Sequence, residues 1–77
     1  MKKIAEKLMD YGMDFQYENN GSQGEKITSF DLNVLIYTHQ GELVFDHDGE
    51  VEELEDNEKS IDYLVLRLDE IAIAETT

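Results

Sequence analysis

Between Asp46 and Glu58, in the stretch FDHDGEVEELEDNE at positions 45–58, eight of thirteen residues are carboxylates and none is Lys or Arg. Such a run invites three kinds of chemistry: hard-cation binding, zinc binding with nearby histidines, and acid–base catalysis. Asp46, Asp48 and Glu50 have the i, i+2, i+4 spacing of the early ligands of a calcium loop. That loop also needs glycine at its sixth position for a sharp turn and a bidentate glutamate at its twelfth. Counted from Asp46, those positions hold Val51 and Asn57. The turn and the clamp are both missing, so no specific metal site is expected. His39 and His47 are not opposite each other in the hairpin described below, and they read as two solvent-exposed imidazoles.

Catalysis has as little support. Ser22, Ser29 and Ser60 stand in no nucleophile motif, and no glycine-rich loop could cradle a phosphate. No Lys or Arg occurs between Lys26 and Lys59 to hold an anionic substrate. A small two-layer domain also lacks room for a water-excluding pocket. No enzyme activity, catalytic residue or cofactor is expected.

The carboxylates themselves remain. Residues 27–58 hold ten acids and no Lys or Arg, where an ordinary surface intersperses the two signs. The ten are Asp31 and Glu42 as flanking charges, then Asp46, Asp48, Glu50, Glu52, Glu53, Glu55, Asp56 and Glu58. Carboxylates two apart on a strand lie about 6.7 Å apart on one side. Those four apart on a helix lie roughly 6 Å apart. Both spacings suit the Lys and Arg heads of a groove that tracks phosphates. The net charge of −13 on 77 residues excludes nucleic acid and anionic membrane as direct partners, since both are polyanions.

Elements must hold these charges in place. Seventy-seven residues make one small domain, 1–77, without cysteine or proline to reinforce it. Ile4, Ala5, Leu8 and Tyr11 predict a helix over 2–11, ended by Gly12. Met13, Phe15 and Tyr17 alternate with polar residues and predict a strand over 13–18, followed by a polar loop over 19–25. Residues 27–46 read as two strands around Gln40-Gly41, pairing Thr38 with Leu43, Tyr37 with Val44 and Ile36 with Phe45. Phe30, Leu32, Val34, Ile36, Leu43 and Phe45 then share the core face, with Leu35, Tyr37 and His39 on the other.

Asp48-Gly49 is a turn signal, and VEELED after it fits either a helical turn or a short edge strand. Residues 61–73 fit a helix with Ser60 as N-cap and Ile61, Leu64, Val65, Leu68, Ile71 and Ala72 as its buried stripe. A strand there would need a bulge to keep Ile71 and Ile73 in phase. The expected fold is α+β: a two-layer α-β-β-β-α domain, a three-stranded antiparallel sheet packed by N- and C-terminal helices. The N-terminal MKKIAEKLMDYGMDF has no apolar core of the signal-peptide kind, and no apolar run reaches the ~20 residues of a membrane span. The chain is expected to be soluble and cytoplasmic.

This order of elements, with DFQYE as first strand and the hairpin ITSFDLNVLIYTHQGELVFDHD followed by acids and a helix, resembles the DNA-mimicking anti-CRISPR proteins of bacterial viruses. FDLNVLIYTHQGELVFD and YLVLRLDEI are also similar to the hairpin and last strand of the phage inhibitor of uracil-DNA glycosylase. The second resemblance implies a strand over 61–73. Either one implies a phage-encoded acidic inhibitor acting in the host cytoplasm. Its partner would be a basic DNA-binding host protein, a nuclease or a glycosylase, whose DNA cleft it fills. The competing expectation is an acidic adaptor that self-associates, with Leu66 and Ile73, seven apart on the last helix, as a homodimer seam.

Overall fold

Two Gly-containing dipeptides shape the centre of the molecule. In the computed structural model, which describes residues 1–76, Gln40 and Gly41 both have positive φ, 49° and 81°. Asp48 and Gly49 repeat the pattern at 53° and 89°. Positive φ at both central residues is what a type I′ hairpin turn requires, and its twist matches that of the flanking strands. The two turns therefore dictate three consecutive antiparallel strands: β3 (Val34–His39), β4 (Glu42–His47) and β5 (Glu50–Glu55). The expected pairing of Thr38 with Leu43, Tyr37 with Val44 and Ile36 with Phe45 is the observed register. The second turn also decides the form of VEELED, which is an edge strand.

Upstream lie α1 (Lys2–Asp10), β1 (Gln16–Asn19), a single 3-10 turn (Gly21–Gln23) and β2 (Glu25–Ser29); α2 (Glu58–Thr76) closes the chain. The sheet is an antiparallel meander in the order β1-β2-β3-β4-β5, so it has five strands where three were expected. One of the two extra strands is β5. The other comes from a break within residues 27–39, where a turn over 30–33 separates β2 from β3 and Asn33 takes a positive φ of 54°. Asp and Asn tolerate that conformation and favour turns, but the apolar alternation runs on through them and masks the break. Leu32 stays buried in the turn, whereas Phe30, expected in the core, is 76% exposed.

Both helices cover one face of the sheet. Ile27, Val34, Ile36, Leu43 and Phe45 from the strands meet Ile4 and Leu8 of α1 and Leu64, Leu68 and Ile71 of α2. Met13 and Phe15 pack at the margin of this core, before β1 begins at Gln16. Gly12 (φ 69°) ends α1 as expected: its N–H reaches Met9 O at 2.9 Å and the Met13 N–H reaches Leu8 O at 3.0 Å, the paired bonds of a Schellman cap. The cap of α2 is Asn57 and not Ser60. Asn57 Oδ1 accepts the Ser60 N–H at 2.9 Å and its carbonyl accepts the Ile61 N–H at 3.1 Å. An Asn cap bonded to the third helical N–H starts the helix almost a turn earlier. Residues 61–73 are thus helical, with the expected stripe inward, where the glycosylase-inhibitor resemblance implied a strand. No helix among the described residues is long and apolar enough to cross a membrane.

Candidate functional site

Register assigns each acidic residue to a face, because residues paired across strands share a face and successive residues alternate. Phe45 and Leu43 point into the helix-side core, so Glu42, Val44 and Asp46 point the other way, onto the face opposite the helices, where Val44 is itself buried among its neighbours at 6% exposure. Glu53 pairs with Val44, Glu55 with Glu42, and Val51 with Asp46, which adds β5 to that open face. Leu35 and Tyr37 lie on it from β3, and Glu18 and Lys26 from β1 and β2. The open face therefore has an apolar strip, Leu35, Tyr37, Val44 and Val51, interleaved and flanked by Glu42, Asp46, Glu53 and Glu55. Glu42 and Glu55 stand directly opposite each other. Among the described residues no Lys or Arg pairs with any of these four carboxylates.

The ten expected site residues thus do not form one array. Glu42, Asp46, Glu53 and Glu55 come together on the open face. Asp56 follows at its Gly41 end, where its N–H donates to Gly41 O at 3.0 Å, whereas Glu58 opens α2 in the helical layer. Asp31 and Asp48 sit in the turns at the opposite end and serve the fold. Asp31 accepts the Asp14 N–H at 3.0 Å. Asp48 accepts from the Asn33 amide and lies 3.5 Å from His47 Nε2. Glu50 and Glu52 fall on the helix side, paired with His47 and Phe45.

Glu52 is the most engaged of the ten within the fold. It accepts the Tyr63 hydroxyl at 2.7 Å and lies 3.8 Å from Arg67 Nε. Arg67 also meets Glu70 at 3.1 Å and sits over the Phe45 ring at 5.9 Å. Glu52 therefore fastens the sheet edge to α2 and is occupied within the fold. Its hydrogen bond, helped by desolvation and by the charge of the same carboxylate, raises the Tyr63 phenol above its ordinary value. Tyr17 is raised in the same way by Glu25, whose carboxylate accepts its hydroxyl at 2.5 Å.

Sequence reasoning missed three residues of this surface. Glu18 was readable from the alternation of Gln16 and Glu18 against Tyr17. Val51, 56% exposed, needed the knowledge that VEELED is a strand. Phe30 needed the break between β2 and β3. His39 lies on the open face and His47 on the helix side, so they share no site. No group of three or more His, Asp or Glu side chains placed to hold a metal ion occurs among the described residues.

Charge is divided unequally between the two layers. Residues 11–57, the sheet with its turns, carry twelve carboxylates against Lys26 alone, a net −11 of the total −13. In the helical layer Lys3 meets Asp62 at 3.4 Å and Lys7 meets Asp69 at 3.3 Å. These pairs advance in the same direction along both helices and tie α1 to α2. The open face is then an array of carboxylates in register around an apolar centre, with no Lys or Arg paired to Glu42, Asp46, Glu53 or Glu55 among the described residues. No family model matches the chain, and no curated protein or solved structure shows significant similarity to it.

Proposed function

We propose that this protein is an acidic DNA mimic, phage-encoded and of the anti-CRISPR type, that inhibits a host defence nuclease by occupying its DNA-binding cleft in the bacterial cytoplasm. The observation that carries the reading is the −11 charge of the sheet layer, with Glu42, Asp46, Glu53 and Glu55 in register on the face opposite the helices. Asp56 extends this array at its Gly41 end. Rigid carboxylates repel a like copy and attract a groove of Lys and Arg, and they gain from it the steering that DNA gains. Inhibition is by occupancy, without catalysis or cofactor. A basic repair enzyme such as a uracil-DNA glycosylase is the alternative target of the same surface.

Capture from a bacterial lysate at low salt, with elution by a salt gradient, tests the proposal. The expected eluate is a DNA-binding nuclease or glycosylase whose DNA binding the protein blocks. Affinity should fall at least about tenfold between roughly 50 and 200 mM salt. Salt-insensitive capture, or a captured protein that still binds DNA, would sink it.

One observation favours a self-associating adaptor as second reading. Leu66 is 62% exposed on α2, one heptad from Ile73 at 63%. Light scattering across a concentration series separates the two. A stable dimer that survives charge neutralisation of the open face would support the adaptor.

A further inference from the structure

The core does not explain Phe30. Burying a phenylalanine is among the larger gains a small domain can make. Yet Phe30 is 76% exposed, while Ser29 beside it is 1% exposed and donates its hydroxyl to Asp14 O at 3.2 Å. The end of β2 buries the small polar residue, and the turn that follows presents the large aromatic one.

Next to Phe30, at the turn end of the open face, lies a cleft of about 260 Å³ whose lining includes Thr28, Phe30, Leu35, Asp46 and Gly49. That is smaller than the ~300–1,000 Å³ of small-molecule sites, and it fits one long side chain. Asp46 is half-buried there. Its Oδ1 accepts the Gly49 N–H at 3.1 Å, which fixes the carboxylate and leaves the other oxygen to accept. No Lys or Arg lines the cleft. An aromatic face, an apolar wall at Leu35 and one oriented carboxylate are the three things an arginine side chain uses at once. A lysine head, compact and strongly hydrated, cannot stack on the ring and bond the carboxylate in the same pose.

We propose that this cleft receives an arginine side chain of a basic partner protein, its guanidinium lying against the Phe30 ring and hydrogen-bonded to Asp46. The source of that arginine rests on the DNA-mimic reading; the preference of the cleft for the side chain does not. The arginine registers the partner on the open face, and the carboxylates of Glu42, Glu53 and Glu55 supply attraction without direction.

The test is a titration of the intact chain with a blocked tripeptide, arginine between two glycines, followed by backbone amide shifts in NMR. Saturable shifts are expected at Phe30, Leu35, Asp46 and Gly49. The lysine peptide should bind about three- to fivefold more weakly, and the neutral citrulline peptide should not saturate. Phe30→Ala, at an exposed position, should weaken the arginine peptide by about the same three- to fivefold. Asp46→Asn keeps the acceptor for Gly49, so the turn survives while the ion pair is lost; it should weaken binding further. Shifts spread over Glu53, Glu55 and Asp56, with arginine and lysine peptides equal, would overturn the proposal, as would an unchanged Phe30→Ala. Peptide binding without any captured basic partner would leave this inference standing and remove the inhibitor reading. Salt-dependent capture unaffected by Phe30→Ala would do the reverse.

Discussion

Asp62 and Asp69 on α2 each have a lysine of α1 against them, whereas Glu42 and Glu55 on the sheet stand opposite each other with no cation between. The contrast holds across the two layers. Asp62, Asp69 and Glu70 of the helical layer, with Glu52 reaching in from β5, are ion-paired within the fold. The carboxylates of the open face are held in register without a Lys or Arg partner among the described residues, although Asp46 accepts the Gly49 N–H and Glu55 the Asn57 amide. Like charges directly opposite on a sheet destabilise it, so the fold tolerates a cost there that it avoids one layer away. A surface that carries such a cost for no structural return is the place to look for binding.

Substitutions should separate the layers by size of effect. Leu68→Ala empties a fully buried position between α2 and the sheet. It should cost about 2–5 kcal/mol, comparable with the whole stability of a domain this small, and denaturant melts should show a largely unfolded chain. Val51→Ala on the open face should change stability by less than about 0.5 kcal/mol. Gly24→Ala should cost roughly 1–3 kcal/mol or more. Its φ is 101°, and a Cβ there would lie 2.2 Å from the Thr38 carbonyl oxygen, straining the β2–β3 approach. Thermal unfolding of that variant reads the loss.

Glu52 and Glu53 are neighbours on opposite faces and make the sharpest pair. Glu52→Ala removes the acceptor of Tyr63 and the partner of Arg67. After discounting for partial exposure it should cost about 1 kcal/mol, while Glu53→Ala should be neutral or slightly stabilising. Glu42→Gln, which relieves the repulsion with Glu55, should stabilise by about 0.2–1 kcal/mol at low salt. The gain should shrink in high salt. Equal behaviour of Glu52 and Glu53 would contradict the division of roles between the two faces of β5.

The smallest effect is with pH. The Tyr63 phenol is raised above its ordinary 10.0, chiefly by its hydrogen bond to Glu52. A raised folded value contributes stability that is complete below the unfolded value and is lost as pH rises through the folded one. The stability difference between wild type and Tyr63→Phe should therefore be level from neutral pH to about 9 and fall above the ordinary phenol value. Paired alkaline melts of the two proteins check the sign.

The legible parts of this molecule were those that a local signal determines. Gln40-Gly41 between alternating strands is enough to place Ile36 opposite Phe45, and Gly12 is enough to end α1. The apolar stripe from Leu64 to Ala72 is enough to orient α2. Two things were not legible. Alternation passing unbroken through residues 30–33 made β2 and β3 look continuous, because a turn that keeps Leu32 inward preserves the pattern across the break. The acidic run could be counted but not sorted. A strand sends Glu52 inward and Glu53 outward, a helical turn would have grouped them differently, and the choice lay in the conformation of Asp48-Gly49. Composition thus revealed how much charge the domain carries, and only the register revealed which of it the fold has left free.

Whether that free charge is the binding surface can be measured directly. Two neutralised variants are compared with wild type for inhibition of DNA binding by whichever DNA-binding protein the low-salt capture yields, across a salt series. One carries Glu42→Gln, Asp46→Asn, Glu53→Gln and Glu55→Gln on the open face; the other carries Asp62→Asn, Asp69→Asn and Glu70→Gln in the helical layer. The prediction is a steep salt dependence for wild type and for the helical-layer variant. The open-face variant, still folded by circular dichroism, should lose affinity by about 100-fold or more and show a flattened slope. Equal losses in the two variants, or inhibition indifferent to salt, would contradict it.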